Sequence, residues 1–89
     1  MNVTFDPAKD AANVAKHGVA LSEAALLDWD AAYTWPDNRR DYGEHRMAGL
    51  APLHERLFYV VFLDRGDMRR IISLRKANAR EVSRYVANN

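Results

Sequence analysis

The chain has 89 residues, no cysteine and a formal charge of +1 at neutral pH. That length makes one domain, residues 1–89, which buries only about 60–65% of the surface its unfolded form exposes. Without cysteine there is no disulfide framework and no thiolate metal site. The histidines at 17, 45 and 54 lack the spacing of a zinc motif, so neither a metal nor another cofactor is expected. No basic-then-apolar signal pattern opens the chain, and no apolar run nears the roughly 20 residues of a membrane span. These features point to the cytoplasm and away from a membrane.

The small net charge hides a split. Residues 1–38 hold Lys9 and Lys16 against six acids, a net −4, while residues 39–89 hold eleven bases against six acids, a net +5. Such asymmetry suggests an anionic partner for the second half.

"NVTF" is a short β-prone start. Asp6 then reads as a helix N-cap with Pro7 at the first helical position, where its missing N–H costs nothing. The helix "PAKDAANVAKH" ends at Gly18, a left-handed C-cap residue, with Lys16 and His17 in the favourable last turn. "LSEAALLDWD" reads as a second helix, capped by Ser22 or the residues before it, with a broad apolar face. From Asp30 to Asp41 the pattern weakens, and Pro36, Asp37 and Asn38 signal a turn.

"YGEHRMAGL" alternates loosely and is expected as a strand. "RLFYVVFL" is a nearly continuous apolar run, as in a central strand covered on both faces. Gly66 supplies the permissive residue of the turn "DRGD", and "MRRIISLRK" follows as a strand of mixed character. Asn78 with Glu81 three residues on forms a capping-box start for a last helix, whose stripe is Val82, Tyr85 and Val86.

The resulting order, β-α-α-β-β-β-α, implies an α+β fold: a small antiparallel sheet of about four strands with helices packed on one side. A two-residue turn at Arg65-Gly66 would put Phe58, Val60 and Phe62 on one face with Ile71, Ser73 and Arg75. Tyr59, Val61 and Leu63 would share the other face with Ile72, Leu74 and Lys76. A one-residue error there swaps the assignment, because strand side chains have period two.

Three stretches now carry a resemblance: "FDPAKDAANVAKHGV" (Phe5 to Val19), "GEHRMAG" (Gly43 to Gly49) and "LFYVVFLDRGDMRRIISLRKANAREVSRY" (Leu57 to Tyr85). In order and spacing they resemble the BrnT family, the toxin half of the bacterial BrnT–BrnA toxin–antitoxin system. Leu74 stands where that family often has alanine, and the segment between Trp29 and Tyr42 resembles nothing specific. The resemblance implies a fold like the RelE-type bacterial ribonucleases and a ribonuclease toxin that suppresses translation. It also implies a BrnA-like antitoxin with a ribbon-helix-helix DNA-binding domain in a 2:2 complex. Operator DNA would then be bound only through the antitoxin.

Metal-free RNA cleavage needs a base for the attacking 2′-OH, a cation for the pentavalent phosphate and an acid for the leaving 5′-oxygen. Cations fixed where negative charge develops usually contribute more to the rate than any other group. Arg75 is the first candidate for the phosphate, since guanidinium is always charged and grips two oxygens at once. A solvated strand-end arginine or an antitoxin contact is the alternative. Glu44 and Arg46, two apart on the expected strand, would leave one face together as base and clamp, or simply pair with each other. These two are expected to converge with Arg75 in one cleft. His17 is a further candidate acid or base, or a histidine that only complements the helix dipole.

Lys16 and Lys76 are candidate RNA contacts. Tyr85 either closes the core or stacks on a splayed base. Trp35 is a candidate antitoxin anchor, as aromatic residues often are at interfaces, or a lid on the core. Against the nuclease stands a non-enzymatic module that holds the antitoxin and modulates operator binding by the complex. On that reading the same charged residues are dispersed or tied up in salt bridges.

Overall fold

A computed structural model describes residues 1–88. The backbone runs through β1 (Val3–Thr4), α1 (Pro7–His17), two short 3-10 helices (Leu21–Leu26 and Trp29–Ala31), β2 (Tyr33–Pro36), β3 (Met47–Leu53), β4 (Arg56–Arg65), β5 (Met68–Lys76) and α2 (Ala79–Ala87). The five strands form one sheet in the order β1-β5-β4-β3-β2. β2 to β5 are antiparallel neighbours, and β1 joins β5 in parallel at the other edge. The α+β class and the β3-β4-β5 meander are those expected from pattern.

Both α-helix caps form as the residue types dictate. Asp6 accepts the Ala8 N–H at 2.9 Å, and Gly18 at φ 73° donates to the Val14 carbonyl at 2.8 Å. Asn78 and Glu81 close a reciprocal capping box at the start of α2. Of the expected stripe on α2, only Tyr85 is half-buried, while Val82 and Val86 are exposed.

The expected second helix is instead two 3-10 segments. Leu27 between them is extended, and the Asp28 N–H leaves the helix to donate to the Pro52 carbonyl at 2.8 Å. No side chain caps the first segment. Its buried residues, Leu21 and Ala24, continue to Leu27 at a spacing of three, which matches the three residues per turn of a 3-10 helix.

The pattern does not announce β2, because its four residues end in Pro36 and lead straight into a turn. Proline is tolerated there because β2 is an edge strand. The expected strand from Tyr42 begins only at Met47. Gly43 takes φ 68° and donates its N–H to Asp41 Oδ1 at 3.0 Å, so a turn replaces the first part of that run.

The β4–β5 register also differs. The turn residues are Gly66 and Asp67, with Arg65 opposite Met68, and a bulge falls between Val61 and Phe62. Phe62 lies opposite Ile71, but Val60 lies opposite Leu74 and Tyr59 opposite Arg75. The extra residue of the bulge moves Ser73 and Arg75 to the Tyr59 side, away from the side of Phe58 and Val60.

The two sheet faces carry separate apolar clusters. On the first, Phe58, Val60, Phe62, Ile71 and Leu74 pack under Val19, Leu21, Ala24 and Leu27. Trp29 closes it edge-on to Phe62 at 5.2 Å, its indole N–H donating to the Ala24 carbonyl. The second is smaller: Ala48, Leu50, Tyr59 and Val61, with Trp35, Leu57, Ile72 and Tyr85 against them. Among the described residues no helix is long and apolar enough to cross a membrane.

Candidate active site

The bulge in β5 decides where the cationic chemistry sits. Arg75 stands on the second face, its guanidinium 4.3 Å above the Tyr59 ring. Glu81 of α2 takes two of its N–H groups at 2.8 and 2.9 Å, and Nη1 also donates to the Lys76 carbonyl at 3.2 Å. The guanidinium is thereby fixed in plane and direction, with 30% of the side chain open to solvent. Burial pushes the Glu81 carboxyl up, but the Arg75 and Asn78 hydrogen bonds and the charges of Arg75 and Arg84 outweigh it and hold the pKa low.

The end of α1 approaches the same strand because Asn13 pins it there. Its buried side-chain amide donates to the Val19 and Leu74 carbonyls at 2.8 Å each and accepts the Leu74 N–H at 3.2 Å. A shallow cleft of about 190 Å³ opens between α1 and β5, lined by Lys9, Asn13, Lys16, His17, Ile72 and Ser73. The His17 imidazole is pushed below its ordinary value by partial burial and by the positive charges of Lys16 and Arg75. That shift favours the unprotonated imidazole, which can accept a proton.

Glu44 and Arg46 do pair, at 3.1 Å, with Arg46 stacked 4.0 Å from the Tyr42 ring centre. They sit in the loop before β3, and the structure does not bring them to Arg75. Arg75 shares a row with Leu50, through Tyr59, and Arg46 is four residues back from Leu50 along the chain. Four residues of extended chain span about 13 Å. Lys76 is exposed at the end of β5 and borders a different cleft, with His54 and Arg56. The Tyr85 hydroxyl donates to the Ala31 carbonyl at 2.7 Å, tying α2 to the segment before β2. Trp35 is half-buried beneath Arg84, whose guanidinium lies 3.9 Å from its ring.

Asn13, Glu81 as the partner of Arg75, and the Asp37–Arg39 pair at 2.7 Å are not among the site residues that sequence reasoning finds. The capping-box spacing locates Glu81, but its second partner depends on a register shift. A buried asparagine on a helix leaves no periodic signal.

A family model for the ribonuclease toxin BrnT of type II toxin–antitoxin systems matches residues 5–81. The chain belongs to the BrnT family. Comparison with curated proteins gives no match. Ribonuclease toxicity is thus the activity of the family, and a type II system supplies an antitoxin as the toxin's partner. The matched span contains α1, the whole meander and the Asn78–Glu81 box, so Arg75, Tyr59 and Glu81 lie within the matched residues.

Proposed function

We propose that this BrnT chain is a metal-independent RNA endonuclease of the cytoplasm that inhibits translation, with its reacting phosphate held between His17 and Arg75. The observation that carries this is an Arg75 guanidinium immobilised by Glu81 on the strand whose Ile72 and Ser73 line the cleft that holds Lys16 and His17. His17 takes the proton of the ribose 2′-OH as its oxygen attacks the adjacent phosphorus. Arg75 stabilises the charge that builds on the non-bridging oxygens, and Lys16 attracts the same phosphate. The bond to the 5′-oxygen breaks as that oxygen takes a proton from water, leaving a 2′,3′-cyclic phosphate and a 5′-hydroxyl, and His17 then gives up its proton to solvent. A preorganised cation at that position contributes on the order of 3–4 kcal/mol. Base and cation are both side chains of this chain, which is what a metal-independent route requires.

The proposed partner is a BrnA-like ribbon-helix-helix antitoxin in a 2:2 complex, through which alone the toxin reaches operator DNA. Trp35, on the edge strand β2, is the proposed anchor for it. Lys76 and Tyr85 are assigned to RNA at the margins of the site.

A second reading has a specific observation behind it. Arg75 is closed in an ion pair with Glu81, and Arg46 with Glu44, as expected of a non-enzymatic module that only holds the antitoxin. Inducing the chain alone in a bacterial host, beside Arg75→Ala, separates the two. Growth arrest with new 5′ ends in cellular RNA, both absent from the variant, supports the nuclease. Normal growth and unchanged RNA ends with soluble, folded protein overturn it in favour of the module.

A further inference from the structure

The loop between β2 and β3 holds a second cationic site with its own internal support. Asp37 is the residue at its base. Its carboxylate side chain is 2% exposed, while the Arg39 side chain bound to it at 2.7 and 2.9 Å is 64% exposed. The buried acid therefore serves as an anchor and the open guanidinium as a presented group. The Arg39 hydrogen bonds hold the Asp37 carboxyl low against the opposing effect of burial. The Tyr42 ring carries the Arg46 guanidinium, which Glu44 steadies from the side. Arg39, Arg40, Tyr42 and Arg46 together line an open pocket of about 400 Å³. Arg40 is exposed and makes no ion pair among the described residues.

This pocket is on the same side of the sheet as Arg75. Trp35, Ala48 and Val61 form one transverse row of that face, and Tyr33, Leu50, Tyr59 and Arg75 the next. Arg84 caps the β2 end of both rows, over Trp35 and Tyr33. Burial pushes the Tyr59 hydroxyl pKa up, and the charges of Arg39 and Arg75 both oppose it. The face thus presents planar guanidinium groups, three of them stacked on aromatic rings, from the loop to the end of β5.

We propose that Arg39, Arg40 and Arg46 form a phosphate-binding subsite for single-stranded RNA, which holds a backbone phosphate remote from the one at Arg75. The proposal rests on the nuclease reading for its substrate and extends it to a place where no bond is broken. Arginines grip phosphate oxygens in pairs, and the tyrosine that carries Arg46 offers a ring edge and face for an unpaired base. An acidic protein segment would meet the same guanidinium forks but would make no use of the interleaved rings.

Arg40 is the position to test, because removing Arg39 would strand the buried Asp37. The probe is a fluorescent oligoribonucleotide whose 2′-oxygens are methylated, so that it binds without being cut. Its affinity is titrated at several salt concentrations for wild type, Arg40→Ala and Arg40→Glu, and antitoxin binding is measured on the same samples. Expected is a loss of about three- to tenfold for Arg40→Ala, a larger loss for Arg40→Glu, and a salt slope shallower by about 0.7 for the lost phosphate. Unchanged affinity and slope overturn the subsite, as does loss of antitoxin binding with RNA binding intact. Cleavage of the unmethylated RNA is followed in parallel. Cleavage that persists while binding ignores Arg40 leaves the nuclease standing and removes only the subsite. Binding that responds to Arg40 without any cleavage does the reverse.

Discussion

Glu81 holds two partners with one carboxylate: its Oε1 accepts the Asn78 N–H at 2.9 Å and an Arg75 N–H at 2.8 Å. The start of α2 and the direction of Arg75 are therefore set together. Glu81→Gln keeps an oxygen for Asn78 but loses the charge that grips the guanidinium. It is expected to cost about 1 kcal/mol of stability, the usual scale of a weakened helix cap. Released from that grip, Arg75 samples more orientations, so RNA cleavage falls, though less than in Arg75→Ala. Thermal unfolding beside a cleavage assay checks both halves. A variant with unchanged melting and unchanged cleavage would show that the pair neither caps nor aims.

Acid should unfold the protein through the two carboxylates whose native pKa values are depressed. Asp37 is held low chiefly by the Arg39 hydrogen bonds. Glu81 is held low by Arg75 and Asn78 despite burial. For such groups the added stability is complete above the ordinary values of 3.8 and 4.5, and is lost as the pH falls through the lower native values. Urea midpoints measured from neutral pH down to about pH 3 are expected to fall for wild type. The fall should be shallower for Glu81→Gln, which has no proton to take up at that site. Parallel curves for the two proteins would contradict the assignment.

The His17 pKa is lowered as well, but for the opposite reason, since burial and the charges of Lys16 and Arg75 disfavour its charged form. Its imidazole resonances, followed by NMR against pH, should move at a pH below the ordinary 6.5. Arg75→Ala removes one of the cations and should shift the midpoint upward, and Lys16→Ala should do so by more, as the larger of the two charge effects. If His17 is the base, the pH at which cleavage rises moves with the NMR midpoint in each variant that retains activity. A midpoint indifferent to Arg75 would mean that the two groups are not neighbours in solution.

Where local rules dominate, this fold is legible in its sequence. Asp6-Pro7, Gly18 and the Asn78–Glu81 box place helix ends through chemistry confined to a few residues, and the apolar run of β4 has no better home than the centre of a sheet. The illegible parts depend on distant partners. Leu21, Ala24 and Leu27 suit a helix of either pitch, and the Asp28 N–H bond to Pro52 selects the tighter, broken form. One bulge residue decides which face Arg75 leaves from, so its partners Tyr59 and Glu81 are beyond reach of a pattern of period two. Glu44 and Arg46 are mutual neighbours, as their spacing suggests, yet Gly43 turns the start of their expected strand into a loop, and Arg46 lies four residues along the chain from the row of Arg75. Asn13 sits among exposed helical neighbours and is recognisable only once β5 lies beside it.

That asparagine carries the sharpest stability prediction. It is buried, it joins residues 61 positions apart, and all its hydrogen bonds go to backbone groups of Val19 and Leu74. Asn13→Ala would leave two carbonyls and one N–H without partners in a site closed to water. Each unsatisfied buried group costs about 1–3 kcal/mol, and local relaxation recovers part of the total, so a loss of about 3 kcal/mol is expected. A thin core has little reserve against a loss of that size. Asn13→Asp should be no better, because a carboxylate cannot donate to the two carbonyls. Where the variant still folds at low temperature, α1 loses its tether to β5 and His17 drifts from Arg75. Its NMR midpoint should then rise toward 6.5 even though neither Lys16 nor Arg75 has been touched. A destabilised Asn13→Ala whose His17 midpoint stays put would assign Asn13 to the core alone, with no part in holding the site together.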